Sequence, residues 1–419
     1  MKELGSLDPL LRGLTSIADG DSVARRLRGI WAEQGGPSEI LSCARHGTRY
    51  APGVRCVVTY ELTGRSLDGR EQRSVGVIDV KPSGVAFRLW YEDPVLRRTL
   101  RRAFNADVMR ERFASVVATA EHEHTIDGAD CQISPVRYKP ERSCVLRYGF
   151  EDRAFFGKVL AQGDAALFKT IAALSEASRE EPEMPSVARP VAHWNDLNMV
   201  VQEAIPEGRS LRTILFATTT ERVDGLEWMH RAGVSIAALH RCAKVPGPTR
   251  AFDDDAAELR SYATLFGHLI PELEHSYRDA VATAAKLARG RVPPAGVASH
   301  GALRTDQLMT DGERIIAIDL DGFCWSSPAR DVGNLLAYLE WKALREPHHA
   351  ALLNDYRSAF LNGYHSLGAR PDATWLRLHR AASMLKIAGR RLHSLTVEEW
   401  ALLPNLIDGA RAALSGRGP

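Results

Sequence analysis

The sequence predicts an α+β protein. Strands fill its first half, helices dominate its second, and an additional α/β module stands at the N-terminus. Three observations carry this. Apolar runs of strand length cluster before residue 205. One segment repeats itself at an offset of 88 residues. From Ser210 onward apolar residues recur at helical spacing.

Composition bounds the function. The 419 residues suffice for about two or three domains. Apolar content of 45% and charged content of 25% are those of an ordinary globular protein. A net charge of +2 offers no global attraction for nucleic acid or an anionic membrane. The six cysteines are scattered, with neither metal-ligand spacing nor a dense disulfide framework, which points to free thiols in a cytoplasmic setting. No basic stretch followed by an apolar run opens the chain, so no signal peptide is expected. No apolar run approaches the ~18 residues of a spanning helix.

In chain order, residues 1–45 read as mainly helical, with Leu7, Leu10, Leu11 and Leu14 on one face. Residues 54–62, 74–80 and 85–90 read as three strands separated by glycine-containing turns. Asn105 or Asp107 can start a helix that places Met109, Phe113, Val116, Val117 and Ala120 together. The polar run 121–130 marks a boundary.

The repeat follows. Arg49-Tyr50-Ala51-Pro52 through Cys56-Val57 to Tyr60 matches Arg137-Tyr138-Lys139-Pro140 through Cys144-Val145 to Tyr148, with six identities in twelve positions. A duplicated strand-turn-strand unit explains it. The second copy runs on into Phe155-Phe156-Gly157-Lys158-Val159-Leu160, a strand with one lysine. The first runs on into Val75-Gly76-Val77-Ile78-Asp79-Val80, which has none. A helix follows over 164–177, with Asp164 at its start and Glu176 near its end. Residues 187–191 and 199–203 form two more strands around Asn195-Asp196, and a connector through Ala204 and Ile205 leads to the helical half. There, Leu226, Met229, Gly233, Ile236 and His240 share helical spacing, and His240 reads as a packed histidine. Asp253-Asp254-Asp255 reads as a solvated helix N-terminus favoured by the helix dipole.

The most informative stretch is His300-Gly301-Ala302-Leu303-Arg304-Thr305-Asp306-Gln307, then Ile315-Ile316-Ala317-Ile318-Asp319, then Pro328-Ala329-Arg330-Asp331. The run 315–318 is a buried strand with Asp319 at its end. Asp331 is placed to cap a helix bearing Val332, Leu335, Leu336 and Leu339. Phosphoryl transfer needs a carboxylate and an amide side chain to hold magnesium, and a second carboxylate to accept the hydroxyl proton.

This stretch resembles the aminoglycoside phosphotransferase-like family, relatives of the protein kinases. Its catalytic loop runs His-Gly-Asp, four residues, then Asn or sometimes Gln; a later Ile-Asp supplies the metal-binding Asp. His300 and Gly301 match, Gln307 falls at the amide position and Asp319 at the metal position. Pro328 and Asp331 fall at structural positions. The departure is Ala302, which stands where the family has its catalytic Asp.

The resemblance implies a two-lobed protein-kinase-like fold, with a small β-rich N-lobe over 126–204 and a helical C-lobe over 205–419. Residues 1–125 would form the extra module. It also implies that Lys158 pairs with nucleotide phosphate, with Lys139 and Arg142 of the preceding turn adding charge, and Glu176 the ion-pair candidate for the lysine. Gln202, Glu203 and Ala204 would be the adenine-pairing hinge. His300 would orient the catalytic loop, and Gln307 and Asp319 would hold magnesium. Asp306 is a loop residue whose alternatives are an outer metal contact or a displaced base. The expected ligands are ATP or GTP, Mg and an unidentified hydroxylated small molecule. Three functions follow. One is a phosphotransferase lacking its general base. Another is a natural pseudokinase, a nucleotide-binding regulatory or assembly subunit with a protein partner. The third is a metal-dependent enzyme of other chemistry using Asp319 and Asp306.

Overall fold

The structure, a computed structural model, describes residues 7–120, 131–216 and 222–416, apart from 18, 38, 68, 152, 206 and 207. The boundary run 121–130 and connector residues Pro206 and Glu207 lie outside these. The chain divides into two compact units, one of residues 1–168, 190–204 and 393–395, the other of 169–189, 205–392 and 396–419.

The first unit holds two copies of one design. In the first copy, α1 (Gly20–Glu33) is capped by Asp19, which accepts from the Asp21 and Ser22 N–H groups, and buries Val23, Leu27 and Trp31 at helical spacing. Strands β1 (Glu39–Ala51), β2 (Arg55–Arg65), β3 (Glu71–Lys81) and β4 (Gly84–Leu89) then form an antiparallel sheet in that order. The helical reading of residues 1–45 is corrected here, because β1 begins at Glu39. It is an edge strand and mostly exposed, so its apolar residues show no clean alternation.

The second copy has α2 (Arg97–Ala103) and α3 (Ala106–Ala120), the latter started by Asn105, whose side chain accepts from the Val108 N–H at 3.0 Å. It continues with β5 (Gln132–Lys139), β6 (Ser143–Gly149) and β7 (Ala154–Leu160). Strand β7 is central in a five-stranded sheet completed by Met199–Glu203 and Pro190–Trp194.

The repeated hairpins pair in the same register. Tyr50 lies opposite Cys56 and Arg49 opposite Val57; Tyr138 lies opposite Cys144 and Arg137 opposite Val145. The duplication also reaches further upstream than the motif. Asp8-Pro9-Leu10-Leu11-Arg12 recurs as Asp93-Pro94-Val95-Leu96-Arg97. Both aspartates are buried, at 1% and 0% exposure. Asp8 accepts from the Tyr50 hydroxyl at 3.0 Å and the Gly53 N–H at 2.6 Å. Asp93 accepts from the Tyr138 hydroxyl and from the Glu141 N–H at 2.7 Å. A buried carboxylate needs such donors, and it ties a helix start to a hairpin turn in each copy.

One core runs through both copies. Val57 and Val77 of the first sheet join Trp90, Leu100, Phe113, Tyr148, Phe155 and Met199 in a single cluster. Phe113 stacks on Phe155 with centroids 4.7 Å apart. Fully burying such a side chain contributes about 1.5–3 kcal/mol, so the described part of the first copy is integral to this unit.

The second unit is helical. Its helices include Arg222–Arg241, Phe252–Leu269, Pro271–Arg289, Ala329–Arg345, Ala350–Ser366, Ala373–His393 and Leu403–Leu414. Arg209–Ser210, Leu308–Thr310, Ile315–Ala317 and Ser186–Val187 make one small sheet, and Val297–Ser299 pairs with Cys324–Ser326 in another. The solvated reading of Asp253-Asp254-Asp255 is corrected at its third residue. Asp255 is 3% exposed and receives Arg330 at 2.7 Å, Arg250 at 3.0 Å and Lys386 at 3.3 Å. Burial acts to raise its pKa, and these cations outweigh it to hold the carboxyl well below the usual range. All six cysteines are free thiols. Among the described residues no helix is long and apolar enough to cross a membrane.

Candidate active site

The His300–Gln307 loop hangs from one carboxylate. Asp331 accepts the His300 N–H at 2.7 Å on one oxygen and the Gly301 N–H at 2.8 Å on the other. His240 donates to the same side chain at 3.2 Å, and its other ring nitrogen meets the Tyr364 hydroxyl at 2.8 Å. Asp331 is fully buried. Burial raises its pKa, but His240, His300 and the Gly301 N–H more than offset this and leave it below the ordinary carboxylate range. The N-cap role expected for Asp331 is corrected. Its helix begins at Ala329 with Pro328 at the cap position, so Asp331 lies within the first turn. Its oxygens are taken by the loop N–H groups instead. The packed role of His240 agrees with its burial and two partners.

Gly301 makes the loop possible. Its φ is +79°, and a Cβ there would lie 1.8 Å from the Gly322 carbonyl oxygen. Only glycine meets both conditions without strain. The His300 ring bonds the Ile318 carbonyl at 3.0 Å, and the Ile318 N–H donates to the Gln307 carbonyl at 3.0 Å. The loop and the strand end before Asp319 are thus stitched together. Asp319 adopts the left-handed conformation, φ 58° and ψ 52°, which aspartate tolerates better than most residues.

Gln307 is 5% exposed, and its Oε1 is buried without a hydrogen-bond partner. An orphaned amide oxygen costs about 1–3 kcal/mol unless something fills its demand. A hard cation takes such oxygens together with carboxylates. Gln307 and Asp319 therefore fit the amide and carboxylate of a magnesium site. Among the described residues no three His, Cys, Asp or Glu side chains cluster as metal ligands.

Ala302 presents only a methyl group. Asp306 lies in the short 3-10 turn Thr305–Gln307, and its carboxylate is 3.2 Å from the Arg304 guanidinium. Arg304 in turn covers the Tyr338 ring at 5.1 Å and reaches its hydroxyl at 3.5 Å. Asn334, one turn earlier on the same helix, donates to the Leu303 carbonyl at 2.7 Å. Burial raises the Tyr338 pKa, but Arg304 and Arg390 outweigh it and lower the phenol below its ordinary value. Sequence reasoning missed Tyr338 and Asn334. Their i, i+4 spacing on the helix that bears Asp331 in its first turn was the available signal.

In the first unit Lys158 sits on β7, between Val145 of β6 and Val200 of the strand beyond. Phe155, Gly157 and Val159 face the core, so Lys158 points to the opposite face with Phe156 and Leu160. The Lys139–Arg142 turn is closed by the Arg142 N–H on the Lys139 carbonyl at 3.0 Å. Gln202 and Glu203 end the strand Met199–Glu203, and the Ala204 N–H is bonded to the Ala154 carbonyl at 2.9 Å. Glu176 lies on the helix Ala165–Glu180, which Asp164 caps through the Leu167 N–H.

A glycine-turned loop beside a strand-end carboxylate, with a β-rich unit whose central strand carries one lysine on the face away from its core, defines a kinase-like α+β phosphotransferase fold. The family model for the phosphotransferase enzyme family APH matches residues 152–370. The chain belongs to that family. No curated protein sequence matches it. Solved structures show similar folds at low identity. A spectinomycin phosphotransferase bound to ADP and spectinomycin is 13% identical, covering 72% of this chain and 98% of its own, with a TM-score of 0.49. A choline/ethanolamine kinase family protein from Mesorhizobium loti is 14% identical, covering 74% and 94%, with a TM-score of 0.46. A glucosamine kinase bound to glucosamine, ADP and phosphate is 15% identical, covering 91% and 94%, with a TM-score of 0.45.

Proposed function

We propose that the chain binds a magnesium-nucleotide, ATP or GTP, and acts as a phosphotransferase toward a small hydroxylated molecule, without the family's general base. The observation that carries this is the orphaned Gln307 Oε1 next to the strand that ends in Asp319. A buried acceptor without a partner calls for an explanation, and a bound cation supplies one.

In this reading Lys158 pairs with nucleotide phosphate, with Lys139 and Arg142 adding charge, while Gln307 and Asp319 hold the metal. A bound metal neutralises charge on the transferring phosphoryl group. His300 and Asp331 keep the loop in place. During transfer the acceptor oxygen bonds to phosphorus, the bond to the leaving phosphate oxygen breaks, and the acceptor proton departs. Ala302 cannot take that proton, so it passes to water or to a group on the acceptor. Phosphoryl transfer relies mainly on positioning and electrostatics, so loss of the base slows the reaction without abolishing it.

Ala302 itself favours a second reading, a pseudokinase that binds nucleotide and serves a protein partner. Calorimetric titration with magnesium and ATP or GTP tests what both readings share. Saturable binding is expected, weakened by Lys158→Ala and by Asp319→Asn. If neither substitution matters, the assigned site is wrong.

A further inference from the structure

The duplicated hairpins place Asp79 and Lys158 at the same register position. Asp79 lies opposite Val57, Lys158 opposite Val145, and Val57 and Val145 are themselves equivalent in the two copies. A carboxylate at that position repels phosphate, so the first copy does not bind a nucleotide in the manner of the second. Its Asp79 has a different partner. Arg55 Nε and Nη2 donate to the two Asp79 oxygens, each at 2.6 Å.

The same guanidinium reaches across to the second copy. Arg55 Nη1 and Nη2 donate to the Glu141 carboxylate at 2.8 and 2.6 Å. Glu141 is the tip of the Lys139–Arg142 turn and has a φ of +61°. Its N–H is held by Asp93 at 2.7 Å, and the Arg142 carbonyl accepts the Ala161 N–H at 2.9 Å. Hydrogen bonds from Arg55 hold the Glu141 carboxyl below its usual range. Side-chain exposures of 23% for Arg55, 13% for Asp79 and 24% for Glu141 place the triad at a partly desolvated seam, where charge pairs count for more than in open solvent.

We propose that the first copy is a clamp on the nucleotide-binding turn of the second, with Arg55 the positioning residue. The proposal rests on the nucleotide-binding reading above. A turn without glycines does not cradle phosphate by backbone approach alone, so its side chains and its net charge decide. Arg55 cancels the Glu141 charge and fixes the tip, leaving Lys139 and Arg142 to face the anion. Without Arg55, the carboxylates of Asp79 and Glu141 stand uncompensated beside it. The first copy thus serves the second: the position that carries Lys158 in the second carries, in the first, Asp79, the anchor of the guanidinium that shapes the turn.

The test is titration of the full chain with magnesium-ATP in five forms: wild type, Arg55→Ala, Glu141→Ala, their double mutant and Lys158→Ala. Arg55→Ala is expected to raise Kd about tenfold, the scale of one charge-assisted hydrogen bond. The double mutant should be no worse than Arg55→Ala alone, because both act through one contact. Glu141→Ala, which leaves the Arg55–Asp79 pair in place, supplies the answer if Arg55→Ala does not fold. It too must then change Kd, with an unaltered circular dichroism spectrum. If wild type binds, Lys158→Ala weakens binding and Arg55→Ala or its Glu141→Ala substitute does not, the clamp is wrong and the nucleotide reading stands. Additive effects of the two substitutions also overturn the clamp. If wild type binds no nucleotide, both fall.

Discussion

Asp79 occupies, in the first copy of the hairpin, the place that Lys158 occupies in the second. The charge at one register position has been inverted while the fold around it stayed. That single relationship separates a strand that carries a cation from one that carries the carboxylate holding Arg55. It explains why two similar sheets within one unit need not carry two similar sites.

Restoring the missing carboxylate should raise activity. Ala302 lies in a loop whose backbone is already held by Asp331 at 2.7 and 2.8 Å. General-base assistance is typically worth about 10²–10⁴-fold. Ala302→Asp should therefore increase phosphoryl transfer to a hydroxylated acceptor, or at least nucleotide hydrolysis, by a measurable part of that range. A variant that binds magnesium-nucleotide as before, yet gains nothing on a broad panel of amino, hydroxy and sugar acceptors, would favour the pseudokinase reading.

Asp331→Asn should be costly. The substitution removes a buried charge and turns an acceptor oxygen into an amide donor facing N–H groups. Breaking a buried network of this kind costs about 3–5 kcal/mol. Urea denaturation monitored by tryptophan fluorescence would show it. A loss below about 1 kcal/mol would mean that the loop does not depend on this anchor.

Gly301→Ala should damage the same loop by a different route. The left-handed backbone costs an alanine about 1–2 kcal/mol. The 1.8 Å approach to the Gly322 carbonyl then forces the backbone to move. We expect a lowered thermal midpoint together with weaker magnesium-nucleotide binding. Unchanged values for both would show that the 301–322 contact is looser than the geometry implies.

Acid should destabilise the helical unit from mildly acidic pH. His379 is buried, and burial first, then the charges of Arg330 and Lys386, push its pKa down from 6.5 to about 3 against the opposing pull of Asp255. An unfolded chain takes up this proton below about 6.5, and the folded one does not until about 3. The unfolded state binds more protons in that window, so stability is full above it and falls with pH, by up to about 1.4 kcal/mol per unit. Asp255 and Asp331, whose folded values are depressed, lose their contribution only at lower pH. Denaturation midpoints between pH 8 and 5 should fall for wild type and less for His379→Leu. Equal slopes would assign the acid sensitivity elsewhere.

Much of the fold was legible because local rules and the final structure agree. Strands β2, β3 and β4 followed from their apolar runs and turns, and the helices starting at Asn105 or Asp107 and at Asp164 from their helical spacing. The loop over 300–307 and the strand before Asp319 were legible through the family resemblance, whose motif His300, Gly301, Gln307 and Asp319 carry within twenty residues. Edge strand β1 was hidden because little of it is buried. Asp8 and Asp93 were hidden because their shared Asp-Pro-x-Leu-Arg recurs at an offset of 85 residues, out of step with the 88 of the hairpins. Arg55 carries no local signal, because its partners Asp79 and Glu141 come from distant segments.

The sequence by itself determined the helical and strand periodicities, the duplicated hairpin, the glycine at 301 and the alanine at 302. These depend on neighbours within a few residues or on a direct comparison of two segments. Only the tertiary structure decided which carboxylate holds the loop and which arginine holds the turn. Asp331 lies 31 residues from His300, and Arg55 lies 86 from Glu141. The strength of such pairs comes from desolvation and from partners supplied by other elements, and neither exists until the chain has folded.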